Sequence, residues 1–225
     1  MDHFFFIGCI TCNKEIQRGI WNSQFYPNLF TMLSAFIALT IIVAVLGVLS
    51  ARRYTRRKLV SRVVILDPTP LSTASMVLGI GLGGFLDGII LHQVLQWHEM
   101  LSNKVPATNY IGKSVNMFWD GVFHFFCLVV VVIGVVLLWR LLKRSDIDTS
   151  GKLLGGGLLA GWGIFNIVEG LIDHHFLKLH NVMEFAANHD FANYTFLVAS
   201  IIMIIAGFAI MNSSSRKTDA VPLNK

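Results

Sequence analysis

The chain has 225 residues, 54% of them apolar and only 14% charged, against about 25% charged in an average soluble domain. Its net charge of +5 is confined to a few short segments, and its three cysteines are too few for a disulfide scaffold. These figures exclude a disordered chain, a nucleic-acid binder and a water-soluble globule, and leave an integral membrane protein.

Residues 1–27 read as an external tail that carries Cys9-x-x-Cys12. The apolar run Phe4–Ile7 is too short for a cleavable signal, and Asp2 stands where a basic region is needed. A helix that crosses roughly 30 Å of hydrocarbon needs about twenty apolar residues. Five segments meet that requirement: 28–50, 72–97, 117–142, 152–177 and 192–211. The expected fold is all-α, a polytopic transmembrane bundle of five spans. Residues 28–70 supply the first span and a basic loop, 71–211 a four-helix membrane domain, and 212–225 a tail.

Basic residues set the expected orientation. Arg52, Arg53, Arg56, Arg57, Lys58 and Arg62 fall in the first connection; Arg140, Lys143, Arg144 and Lys152 in the third; Arg216, Lys217 and Lys225 in the tail. That is thirteen of eighteen, so these connections are expected in the cytoplasm, with the N-terminus outside and the C-terminus inside.

On that topology all eight histidines fall in the outer half of the membrane or beyond it. His92 and His98 end the second span, His124 lies near the start of the third, and His174, His175 and His180 end the fourth. Asp87, Asp120, Glu169 and Asp173 accompany them inside the spans. Burying an ionisable side chain at mid-bilayer costs about 2.5–3.5 kcal/mol on insertion scales, so these groups need partners. Carboxylates and imidazoles on facing helices can share protons or a metal ion. Asp120 and His124 are four residues apart and share a helix face, as do Asn166, Glu169 and Asp173. Asp87 and His92 are five apart, which an α-helix separates by about 140° and a wide turn at Gly88 would reunite.

The second and fourth spans repeat each other at an offset of 82 residues. The stretch from Asp87-Gly88 through His92 to His98 aligns without gaps on that from Glu169-Gly170 through His174 to His180. Both copies point the same way, and parallel repeats place sites at their interface. Glycines at 79, 83, 84, 88, 157 and 161 mark faces for close helix packing.

The runs Gly84–His98, Asp120-Gly121-Val122-Phe123-His124 and Phe165–His175 resemble a family of bacterial predicted inner-membrane proteins, domain of unknown function 2243. The resemblance covers roughly residues 71–211. It implies a four-helix unit in a bacterial plasma membrane, and some relatives resemble fusions to a membrane protein of cytochrome oxidase copper assembly. That points weakly to copper and to a respiratory oxidase or copper-assembly protein as partner, besides the lipid bilayer; no nucleic-acid partner is expected.

The expected metal ligands are His92, His124 and His174 with Asp87, Asp120, Glu169 and Asp173 as ligands or orienters, and His98, His175, His180, Cys9 and Cys12 as secondary candidates. Copper, zinc and iron all remain open, although a His and carboxylate set suits zinc, iron or copper(II) better than copper(I). Three readings follow: a metal-binding protein with its site open to the periplasmic side, handling copper; a metal-dependent enzyme, either a zinc lipid hydrolase with Glu169 as general base or a di-metal oxidase; and a non-catalytic subunit with a structural polar network.

Overall fold

The computed structural model describes residues 12–22, 26–58 and 66–214. Within them the chain is helical: α1 (Lys14–Ile20), α2 (Tyr26–Lys58), α3 (Thr69–Leu86), α4 (Tyr110–Leu141), α5 (Gly151–Glu169) and α6 (His189–Asn212). Helices α3 and α5 each continue without a break into a π-helical segment, Asp87–Val94 and Gly170–Phe176. Five helical stretches are long and apolar enough to cross a membrane: Tyr26–Leu49, Thr69–Val94, Tyr110–Leu141, Gly151–Phe176 and His189–Asn212. They coincide with the five expected spans to within a few residues, except that α4 begins seven residues earlier than the hydropathy placed it. Its start is set by Asn109, whose side chain accepts from Gly112 N at 2.9 Å.

The repeat in the sequence is a repeat in space. Helix α3 packs on α5 at the centre, α4 packs on α3, and α6 packs on α5. Each half opens with the same turn. Asp67 Oδ1 accepts from Thr69 N at 3.0 Å, and Asp148 Oδ1 accepts from Ser150 N at 2.8 Å. A short parallel bridge joins the two turns, with Asp67 N donating to Asp146 O and Asp148 N to Asp67 O. At the opposite end the loops after the π-helical segments cross over. Asn103 N donates to Leu179 O at 2.9 Å and Glu184 N to Trp97 O at 2.8 Å.

Close approach of α3 and α5 depends on residues without side chains. A Cβ on Gly79 would meet the Leu158 backbone, one on Gly161 the Met76 carbonyl, and one on Gly157 the Ser75 hydroxyl. That proximity lets Ser75 Oγ donate across the interface to Leu153 O at 3.1 Å. Helix α2 stands outside the pair of repeats. Its inner face inserts Leu29, Met32 and Phe36 against Phe123 and Phe165, with the Phe36 and Phe165 rings stacked at 5.3 Å. Its other face leaves Ile37, Ile41, Ile42 and Val45 exposed, the surface a lipid-facing helix presents. Helix α1 is an element that hydropathy alone did not bring out: Asn13 caps it, and Ile16 and Ile20 bury against Val115 of α4.

Replacing Gly161 by Leu drives a side chain into the Met76 carbonyl, where neither backbone has room to yield. The expected cost is at least the about 1–3 kcal/mol of an overpacked core, seen as a lower unfolding temperature in detergent. The same change at Gly121, whose Cβ would meet nothing within 4 Å, is expected to leave that temperature unchanged.

Candidate metal centre

Widening the helix at the end of α3 and α5 is what assembles the site. In the π-helical segments residues five apart come onto one face. Asp87 Oδ2 then lies 3.1 Å from His92 Nε2, and Glu169 Oε1 lies 2.7 Å from His174 Nε2. Each segment closes with the same bonds, Leu95 N to Ile90 O and Leu177 N to Ile172 O. The next residues, Gln96 and Lys178, both take φ of 51°. A non-glycine residue held in that region costs of order 1–3 kcal/mol, and here it occurs at equivalent positions of both repeats. The consequence is a reversal of the chain. His98 and His180, which a continued helix would carry toward the surface, turn back into the bundle and are 2% and 1% exposed.

Four imidazoles therefore meet between the repeats. The His98 and His180 rings stack at 4.5 Å, His92 stands edge-on to His98 at 4.4 Å, and His174 edge-on to His180 at 4.8 Å. Two groups of donor atoms result, each with all its atoms within 4.8 Å of one another: Asp87, His92 and His98; and His98, Glu169, His174 and His180. His98 belongs to both.

The polar atoms of this cluster are close without being bonded. His92 Nε2, His98 Nε2, His174 Nε2, Asp87 Oδ1 and both oxygens of Glu169 are buried and lack a hydrogen-bond partner. The 2.7 and 3.1 Å contacts are as short as hydrogen bonds or ion pairs, but their angles do not meet those of a hydrogen bond. Two ligands about 2.0–2.2 Å from one ion and at right angles to each other are about 3 Å apart, so these separations are compatible with a shared ion.

Neighbouring groups fix the rings. His92 Nδ1 lies 2.8 Å from Asp120 Oδ1, and His98 Nδ1 lies 2.8 Å from Val182 O. Both oxygens accept, so each Nδ1 carries a hydrogen; His98 Nε2 then presents its lone pair inward, and His92 Nε2 is directed at Asp87. Asp120 Oδ1 also accepts from Met100 N at 3.1 Å. Two asparagines that the sequence reading did not single out secure the loops that return the histidines. Asn116 accepts from Leu101 N and donates to Val105 O, and Asn193 accepts from Val182 N. An amide buried in an apolar span was the available signal.

The remaining candidates lie around this centre. Asp120 orients His92 and belongs to neither donor group. Asp173 is 1% exposed, and its Oδ1 is buried without a partner. His124 also stands outside both groups, its Nε2 against Gly88 and its ring over Phe85 at 5.8 Å. His175 turns away and bonds its own helix through Gly170 O at 2.8 Å. Cys12 is exposed, and Cys9 lies outside the described residues. Cys127 is buried against Gly84 and is part of the apolar core.

Burial, reinforced by the neighbouring histidines, pushes His98 down from the usual imidazole range to about 3, and His180 well below that range. Both rings are thus neutral near pH 7, the state a metal ligand requires. An unfolded imidazole takes its proton near pH 6.5, and folded His98 only near 3. The stability that His98 contributes is therefore complete above 6.5 and is lost as pH falls toward 3. Between pH 7 and 4 the unfolding temperature of the metal-free parent is expected to fall further than that of His98→Gln, measured by thermal melts in detergent.

The model of the family described as "Predicted membrane protein (DUF2243)" matches residues 74–214, which include every donor of both groups. The chain belongs to this family. No curated protein and no solved structure matches it.

Proposed function

We propose that this membrane protein binds a divalent first-row metal ion between its two repeats and keeps it as a resident centre. One observation carries the reading: imidazole nitrogens and carboxylate oxygens of both repeats converge, buried, within 4.8 Å of one another in each group, and most of them lack a hydrogen-bond partner. The donor set is imidazole and carboxylate with no thiolate or thioether in either group, which suits zinc, iron or copper(II) and disfavours copper(I). Burial of every donor favours a retained ion over one passed rapidly onward, and so weighs against transient copper delivery to a respiratory oxidase. By the distribution of Lys and Arg, the metal end faces the periplasm of a bacterial inner membrane and the basic end the cytoplasm.

An enzymatic role has one observation in its favour. A cavity of about 420 Å³, lined by residues that include His92, Gln96, Glu99, Lys113 and Asp120, leads from the surface to the edge of the centre. Lys113 Nζ and Glu99 Oε1 pair at 3.0 Å in its wall. Glu169 sits within a donor group and does not line this cavity, which weighs against it as general base.

Protein purified in mild detergent without chelators is expected to carry metal by mass spectrometry. His92→Ala combined with His98→Ala is expected to abolish it, whereas His124→Ala retains it. Asp120→Ala, which frees the His92 ring, is expected to weaken affinity about 10–100-fold. Metal-free parent protein that takes up no zinc, copper(II) or iron when reloaded would overturn the proposal.

A further inference from the structure

The inference concerns how many ions the centre holds, and it rests on the metal-binding reading above. The two repeats present the same ligands at equivalent positions. Asp87, His92 and His98 come from the first, and Glu169, His174 and His180 from the second. Either trio alone supplies one carboxylate and two imidazoles, which is a common protein contribution to one zinc or iron ion. Six protein donors of this size and rigidity exceed what a single four-coordinate ion takes. They also fall into two overlapping groups, with only His98 common to both.

Charge points the same way. Asp87, Asp120, Glu169 and Asp173 are each no more than 5% exposed. Among the described residues, Lys and Arg pair only with Glu99 and Asp146, and with none of these four carboxylates. His98 gives its Nδ1 hydrogen to Val182 O and His92 its own to Asp120, so both rings remain neutral donors when metal is bound. With one divalent ion, two of these carboxylates are left for protons to neutralise; two ions can offset all four. We infer that the cluster is a dinuclear centre, with one divalent ion on Asp87 and His92, a second on Glu169, His174 and His180, and His98 at the boundary between them.

Stoichiometry separates this inference from the reading beneath it. The full-length chain in detergent is stripped with chelator, equilibrated with zinc alone and freed of loose ions by gel filtration. Zinc per chain is then measured by mass spectrometry. Two zinc ions per chain are expected. One ion overturns the dinuclear inference and leaves the metal-binding reading standing, with protons neutralising the remaining carboxylates; none overturns both. The pair Asp87→Asn and His92→Ala, and separately the pair Glu169→Gln and His174→Ala, are each expected to reduce the count from two to one. Two ions retained in both variant pairs would place the zinc elsewhere on the chain and overturn the inference. Helicity by circular dichroism confirms that each variant is folded. Because the count on the parent chain decides by itself, a variant that fails to fold does not shelter the inference.

Discussion

Four carboxylates buried among apolar helices, none of them paired with a lysine or arginine among the described residues, set the terms for the rest of this structure. An uncompensated charge in a low-dielectric interior is among the most expensive arrangements a protein can hold. The four imidazoles gathered next to these carboxylates offer two ways to relieve it, by carrying protons or by sharing metal ions. The ring orientations favour metal. His98 spends its Nδ1 hydrogen on a backbone carbonyl and turns a bare nitrogen toward the acids, while Asp120 holds the His92 ring facing Asp87. A proton-sharing network would pair its donors with acceptors, yet the innermost atoms here are left without partners.

The backbone serves that centre at some expense to itself. Two π-helical segments interrupt otherwise regular spans, and two non-glycine residues adopt the left-handed conformation. Both departures occur twice, 82 residues apart, so they belong to the repeated unit and not to accidents of one loop. Tight glycine-mediated packing of α3 on α5 at the other end of the bundle gives these distortions a rigid base. The loops that return His98 and His180 are tied down by Asn116 and Asn193 from the outer helices, which gives α4 and α6 a share in positioning the site.

Much of this was legible in the sequence. Hydropathy located the five spans, and the gapless match of Asp87–His98 to Glu169–His180 identified the two repeats and the acids and histidines they share. The five-residue spacing of Asp87 and His92 even indicated the wide turn, because no α-helix brings such a pair together. The burial of His98 and His180 was not legible, since periodicity carries a helix onward and gives no sign that Gln96 and Lys178 reverse it. Conversely, the four-residue spacing of Asp120 and His124 gave them a shared face. The structure sets Asp120 against His92 and His124 against Gly88. Spacing along one helix reports a common face, but not which neighbour that face meets.

The central claim is that metal binds these nitrogens and oxygens, and X-ray absorption at the edge of the bound metal tests it most directly. The account predicts a shell of nitrogen and oxygen only, at about 2.0–2.2 Å, with the outer scattering of several imidazole rings. A sulfur shell near 2.3 Å, which would bring cysteine into the site, or a fully hydrated ion without imidazole scattering, would contradict it.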